Sequence, residues 1–200
     1  MLIAAPTNDG LTLVIVYWPE REFARVRADV ERQFMTALDT VPSLAARIRA
    51  GTRVEKFRGS VDLEGFFRRP YGPGWALVGD AGYHKNPITA QGITDAFRDA
   101  ELLAEAVDAT LAGQLPADKA LAAYEQKRNE AALPLYRMTC DLARLEPPPA
   151  QMLGLFQALH GNEKESGRFM GTIAGTVPVA EFFAPENIQR IVSGQTTPAT

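Results

Sequence analysis

Cysteine and histidine are scarce in this 200-residue chain, which has one cysteine, Cys140, and two histidines, His84 and His160. One cysteine excludes a disulfide within the chain and is typical of proteins from a reducing compartment. The histidines lie far apart in the sequence, with no cysteine or carboxylate cluster at the spacing of metal ligands. No metal site is therefore predicted. A serine-hydrolase triad is not predicted either, because no Gly-x-Ser-x-Gly occurs.

Long apolar runs and a strong charge of one sign are also lacking. No apolar run reaches the ~18 residues that a membrane helix needs, and Met1–Pro6 lacks the basic region of a signal peptide. The net charge is −3, and Lys and Arg do not cluster among aromatic residues. These features argue against a membrane or a nucleic acid as a partner. Together with the single cysteine they predict a cytoplasmic protein.

The most informative pattern in the chain lies between Trp75 and Ala104. Trp75–Val78 is a short apolar run that follows a Gly-Pro-Gly breaker, so it is predicted as a buried strand. Gly79-Asp80 ends this strand and places a carboxylate at its C-terminal edge. A glycine-bearing loop then leads to a long amphipathic helix.

This helix is predicted to begin near Gln91-Gly92. Asp95, in its first turn, is interpreted as a surface carboxylate that complements the helix dipole. The N-terminus of this helix has unpaired backbone amides and a partial positive charge, and it points back at the loop. Such a helix end attracts anions and electron-rich carbonyl groups. One apolar face of the helix is predicted to pack against the rest of the chain. Its positions are Ile93, Ala96, Phe97, Ala100, Leu103, Val107 and Leu111.

At these residues the sequence resembles the FAD-dependent aromatic-hydroxylase (class A) family of flavoprotein monooxygenases. The family pattern is Gly-Asp-Ala-Ala-His, a Pro four residues after the His, Gly-Gln-Gly, and a helix with Asp-Ala. The matching residues here are Gly79, Asp80, Ala81, Pro87, Gln91, Gly92, Asp99 and Ala100. The chain departs from the pattern at Tyr83, which takes the place of the His and precedes His84, and at Ala90, which replaces the first Gly of Gly-Gln-Gly.

The resemblance implies FAD as the cofactor. It implies that Asp80 hydrogen-bonds the ribityl chain, that Pro87 lies beside the isoalloxazine ring, and that the backbone from Gly92 faces the pyrimidine carbonyl. The implied cofactor-binding residues are Gly79, Asp80, Pro87, Gln91, Gly92 and Ile93. No catalytic side chain is implied, because the chemistry belongs to the flavin. The implied activity is NAD(P)H-dependent hydroxylation of a small organic substrate.

The glycine fingerprint of dinucleotide binding is missing, since none of the sixteen glycines forms Gly-x-Gly-x-x-Gly. The chain is therefore expected to be the C-terminal half of such an enzyme and inactive alone, with a complementing N-terminal half as a candidate partner. A truncated reading frame, a separately encoded half and a cropped chain stay open as causes. Alternative functions are a flavin reductase or halogenase of the same superfamily, a non-catalytic remnant, and a helical partner module.

The predicted fold class is α+β, as part of an α/β FAD-binding fold. A remnant of the substrate-binding middle domain is placed at 1–72, a FAD-contacting Rossmann-type strand, loop and helix at 73–113, and a helical region at 114–200. The strands predicted before this motif are the hairpin Met1–Ala5 with Leu11–Trp18, and Val54–Val61. The other predicted helices are Glu20–Leu38, Pro42–Ala50, Ala117–Leu145 with a kink at Pro134, Gln151–His160, Glu163–Ala174 and Pro185–Val192.

Overall fold

The structure, a computed structural model, describes residues 1–61 and 63–194. The chain is α+β and mostly helical, with short antiparallel strands, so the coarse fold class is confirmed. It forms two compact units: the first is Met1–Leu63 with Arg144–Glu146, and the second is built from Glu64–Ala143 and the residues after Glu146. The predicted division after residues 72 and 113 stays a prediction.

The first unit begins with a β-hairpin, as predicted. Strand β1 (Leu2–Pro6) pairs antiparallel with β2 (Thr12–Val16), with Leu2 opposite Val16. The connection contains a 3-10 turn, Asn8–Gly10, in which both Asp9 and Gly10 have positive φ angles. Asp and Gly are residues that adopt this left-handed conformation at low cost, and they bring the two apolar runs together.

The predicted helix Glu20–Leu38 is interrupted in the structure. A 3-10 turn, Glu20–Glu22, leads into α1 (Phe23–Ala28), and α2 follows as Val30–Leu38. Asp29 separates them with φ −157° and ψ 77°, and its carboxylate accepts a hydrogen bond from the amide of Arg32. Asp is a strong N-cap, and its side chain competes with the helical hydrogen bonds of the preceding turn.

The next helix is confirmed, and the strand predicted after it is wrong. Helix α3 (Pro42–Ala50) starts with proline in its first turn and ends at Gly51. Residues 54–61 form no strand, and no described strand lies beside them to pair with their backbone. Phe57 packs instead against Phe34 of α2, with ring centroids 5.0 Å apart and the ring planes tilted by 54°.

In its described residues the second unit contains four two-residue strands in two antiparallel pairs. Strand β3 (Phe66–Phe67) pairs with β6 (Tyr83–His84), and β4 (Tyr71–Gly72) pairs with β5 (Trp75–Ala76). The predicted buried strand Trp75–Val78 is wrong in length and burial, because only its first two residues pair and the side chain of Trp75 is 48% exposed. No neighbouring parallel strand is present within 1–61 and 63–194 to cover this run.

Helices form the rest of the second unit, close to the predicted positions except for the short helix Val179–Phe182, which was not predicted. They are α4 (Gly92–Leu111), α5 (Ala117–Ala143), α6 (Ala150–Leu159), α7 (Glu163–Ala174), α8 (Val179–Phe182) and α9 (Pro185–Val192). Helix α5 continues through Pro134 as one helix and packs along α4, where Tyr124 is buried. Phe182 and Leu155 centre a second core among α6 to α9. Among the described helices, none combines the length and apolar character needed to cross a membrane.

Helix α4 presents to solvent much of the face that was predicted to be packed. Ile93 is 76% exposed, Phe97 74% and Leu111 83%, whereas Asp95 and Asp99 are buried. The apolar periodicity was identified correctly, but the inference that this face packs inside the chain is wrong. The opposite face is inside because its apolar residues Leu102 and Ala106 pack against α5, while oppositely charged groups offset the cost of burying its two carboxylates.

Candidate functional site

The Gly79-Asp80 turn lies directly against α4. Residues Gly79–Ala81 form a 3-10 turn, in which Gly79 has a φ of +57°. A Cβ atom at Gly79 would lie 3.0 Å from the Cβ of Ala96 in α4. Glycine is therefore required here both by the left-handed backbone and by the close approach of the helix.

Asp80 is exposed and lies beside the first residue of α4. A Cβ atom added to Gly92 would be 3.8 Å from Oδ1 of Asp80. The structure thus brings together three of the predicted cofactor-binding residues, Gly79, Asp80 and Gly92. An exposed carboxylate stands next to a helix N-terminus, which combines a hydrogen-bond acceptor with backbone donors and a partial positive charge.

The other predicted cofactor-binding residues lie on the loop and first turn that lead away from this point. Pro87 is exposed and begins the 3-10 turn Pro87–Thr89, where the side chain of Asn86 accepts a hydrogen bond from the Ile88 amide. Gln91 precedes α4 and makes no side-chain capping bond, while Ile93 points into solvent. Ala90 and Gln91 join the turn Pro87–Thr89 to the start of α4, next to which Asp80 lies.

A buried group of charged side chains, which we name the loop–helix ion cluster, holds this loop on α4. It consists of Tyr83, Lys85, Asp95, Arg98 and Asp99. The ammonium group of Lys85 contacts the carboxylate of Asp95. Arg98 donates to Oδ1 of Asp95 at 2.9 Å, to Oδ1 of Asp99 at 3.1 Å and to the hydroxyl of Tyr83 at 2.6 Å. The interpretation of Asp95 as a surface carboxylate is wrong, because Asp95 is only 3% exposed.

The electrostatics of the cluster follow from its burial. Burial raises the pKa of Asp99, and the neighbouring Arg98 only partly offsets this. Burial also raises the pKa of Tyr83 far above its usual value, and the charge of Asp95 raises it further. The Tyr83 hydroxyl therefore stays protonated, and its ring stacks on Phe67 with centroids 4.7 Å apart. Position 83, where the family has His, is structural in this chain.

Helix α5 fixes the same region from the other side. The hydroxyl of Tyr124 donates to the Leu77 carbonyl at 2.7 Å, just before the Gly79-Asp80 turn. The hydroxyls of Thr89 and Thr139 lie 2.9 Å apart and join the Pro87–Thr89 turn to α5. The loop is thus held by both helices while the carboxylate of Asp80 stays exposed.

The ion cluster was missed in the sequence, although a signal for it was present. Asp95, Arg98 and Asp99 are spaced i, i+3 and i+4, which puts all three on one face of a helix. Lys85 lies ten residues before Asp95, and only the path of the loop brings the two together. The histidine next to the cluster, His84, hydrogen-bonds the Glu64 carbonyl through Nδ1 at 2.8 Å. Among the described residues no group of His, Cys, Asp and Glu side chains is arranged to bind a metal ion.

No family model matches this chain, and neither a curated protein nor a solved structure matches it. The resemblance to flavin hydroxylases therefore depends on the motif residues of the sequence alone.

Proposed function

We propose that this chain is the flavin-contacting C-terminal part of an FAD-dependent oxidoreductase, with a monooxygenase as the parent enzyme. The observation that carries the proposal is the position of Asp80 beside Gly92 at the start of α4. A flavin needs an acceptor for the hydroxyl groups of its ribityl chain and donors for its pyrimidine carbonyl. Asp80 offers the first, and the N-terminal amides of α4 offer the second.

The residues of this site have different tasks in the proposal. Asp80 accepts hydrogen bonds from ribityl hydroxyls, and the absence of a side chain at Gly92 lets the ring approach the helix backbone. Pro87 and Gln91 line the loop side, and the ion cluster keeps the loop in place. When bound, the flavin would supply the redox chemistry for NAD(P)H-dependent hydroxylation of a small organic substrate.

The Rossmann-type sheet belongs to the same proposal. The exposed run Trp75–Val78 would become an edge of a parallel sheet once an upstream half supplied the neighbouring strands. A flavin reductase or a halogenase is the alternative, because the Gly-Asp motif is shared among these enzymes. If the chain binds no flavin, the alternative is a non-catalytic remnant.

Titration of the chain with FAD, followed by quenching of flavin fluorescence, tests the proposal. Asp80→Ala should weaken FAD binding by about ten- to a hundredfold, because a lost hydrogen bond to a charged group costs roughly 1.5–3 kcal/mol. The matched control is Asp118→Ala, which removes another exposed carboxylate from the first turn of a helix, α5. Equal dissociation constants for the two variants, or no binding by the wild-type chain at high protein concentration, would contradict the assignment.

A further inference from the structure

Helix α4 carries an exposed apolar line that we name the α4 stripe. Its residues are Ile93, Phe97, Ala100, Ala104, Val107 and Leu111, all of them exposed. The helix packs Leu102, Leu103 and Ala106 against α5 but leaves the larger side chains of Ile93, Phe97 and Leu111 in water, so it has a second apolar face without a partner among the described residues. Contiguous apolar surface of this kind marks an interaction site.

The spacing of the stripe indicates what kind of surface covers it. The intervals between its residues alternate between four and three, which is the spacing of a helix–helix seam. The seam is straight and spans about 27 Å at 1.5 Å per residue. A second helix of similar length fits such a line.

The stripe is also complementary to itself. If a second copy of α4 lies antiparallel, Ile93 is level with the partner's Leu111, Phe97 with the partner's Val107, and Ala100 with the partner's Ala104. The two alanines at the centre let the helix axes approach, while the large residues pack at both ends. A single two-fold axis beside Leu102 relates the copies, as in an isologous dimer. We propose that two copies of this chain associate through antiparallel packing of their α4 stripes.

The amount of surface is adequate for such a dimer. An aromatic side chain such as Phe97 buries about 150–250 Å²; with the three aliphatic side chains of each stripe added, joining two stripes removes up to about 1,000 Å² from water, close to the lower limit of specific interfaces. The two-fold axis also places the partner's Leu111 next to Ile93, so the second copy borders the Asp80–Gly92 site. The inference stands on the exposed stripe and does not depend on flavin binding.

The proposed antiparallel arrangement predicts different distances between equivalent acidic residues of the two copies. Glu101 is exposed on one edge of the stripe, close to the two-fold axis, and no ion pair to it occurs in the part of the chain that the structure describes. Antiparallel packing brings Glu101 beside the partner's Glu101, with about 3 Å between them along the helix axis. Asp108, on the same edge, is about 18 Å along the axis from the partner's Asp108.

Analytical ultracentrifugation over a concentration series tests the dimer. The wild-type chain should show a monomer–dimer equilibrium, and Phe97→Glu should weaken it by at least about tenfold by placing two charges in the seam. Because Phe97 is 74% exposed, this variant keeps the monomer fold, which circular dichroism checks. The control Met170→Glu changes another exposed apolar residue, 57% exposed on α7, and should leave the equilibrium unchanged. A monomeric wild type, or a dimer that Phe97→Glu leaves intact, overturns the proposal.

Cross-linking tests the antiparallel direction. In a Cys140→Ala background, Glu101→Cys should be joined to its own copy by a short bismaleimide, because the two positions lie near the axis. Asp108→Cys should not be joined, since its two positions are about 18 Å apart. Cross-linking of both variants indicates parallel helices and overturns the arrangement, as does cross-linking of neither.

Discussion

Ala90 is one of three described residues other than glycine that have a positive φ angle, with Asp9 and Leu145. It has a φ of +55° and a ψ of 33°, in the left-handed region, between the turn Pro87–Thr89 and Gln91. A Cβ atom costs roughly 1–2 kcal/mol in this conformation, and glycine avoids that cost. The flavin-hydroxylase pattern has glycine at this position. This chain has alanine there, but its backbone still adopts the left-handed conformation that glycine adopts most easily.

Replacing this residue tests the strain directly. Ala90→Gly should raise the free energy of unfolding by about 0.5–1 kcal/mol, because the relief of strain exceeds the extra entropy of glycine in the unfolded chain. Urea denaturation measures the change. The control Ala122→Gly, at an exposed site in the right-handed backbone of α5, should lower it by about 1 kcal/mol. A loss of stability in Ala90→Gly as large as in the control would contradict the strain assignment.

At the scale of elements, one buried carboxylate joins α7 to α9. Glu165 is 3% exposed; its Oε2 lies 3.0 Å from Nη1 of Arg168 in α7, and its Oε1 lies 2.9 Å from Nη2 of Arg190 in α9. Burial by itself raises the pKa of Glu165, but the hydrogen bonds from Arg190 and Arg168 outweigh burial, and the net pKa lies below its ordinary value of 4.5. Arg168 also bonds Glu181 of α8 at 2.8 Å, so the ion pairs extend across three helices.

This lowered pKa predicts a loss of stability in acid. The stabilisation is complete above pH 4.5, the unfolded value, and disappears as the pH falls through the lower folded value. Glu165→Gln should therefore lower the melting temperature at neutral pH and flatten its fall between about pH 5 and 3. Glu163→Gln, at an exposed position in the same helix turn, is the control. Parallel melting curves for wild type and Glu165→Gln across this pH range would contradict the role.

For the whole molecule, the proposed flavin site is only part of a cofactor site. Asp80 and the start of α4 can contact the ribityl and ring end of FAD, whereas the fingerprint that holds the pyrophosphate does not occur in the sequence. Contacts to one end of a large cofactor give modest affinity, because the remainder stays in solvent.

The chain alone should therefore bind FAD weakly and lose it on dialysis. Visible flavin absorbance before and after extensive dialysis measures the fraction of FAD that the protein retains. When FAD is then added back to the dialysed protein, its fluorescence should be quenched reversibly on binding. A yellow protein that keeps one FAD per chain would show that the residues present suffice to hold the whole cofactor.

The sequence by itself determined the elements that depend on neighbours along the chain. Helices α7 and α9 begin and end where the pattern predicts, because Asn162 caps one, Gly175 ends it, and Pro185 starts the other. The hairpin follows from two apolar runs on either side of an Asp-Gly turn, the second of them rich in β-branched residues. The placement of Gly79-Asp80 before a helix that starts at Gly92 was also predictable, since it depends on local breakers and periodicity.

Only the tertiary structure decided which side of each element is inside. The periodicity of α4 identifies an apolar face, but burial depends on what packs against the helix, and Lys85 and α5 cover the acidic face instead. For the same reason Asp95 lies in an ion cluster, and Trp75 is exposed. Burial and pairing join residues that are distant in sequence, so the periodicity of one segment contains no information about its partner.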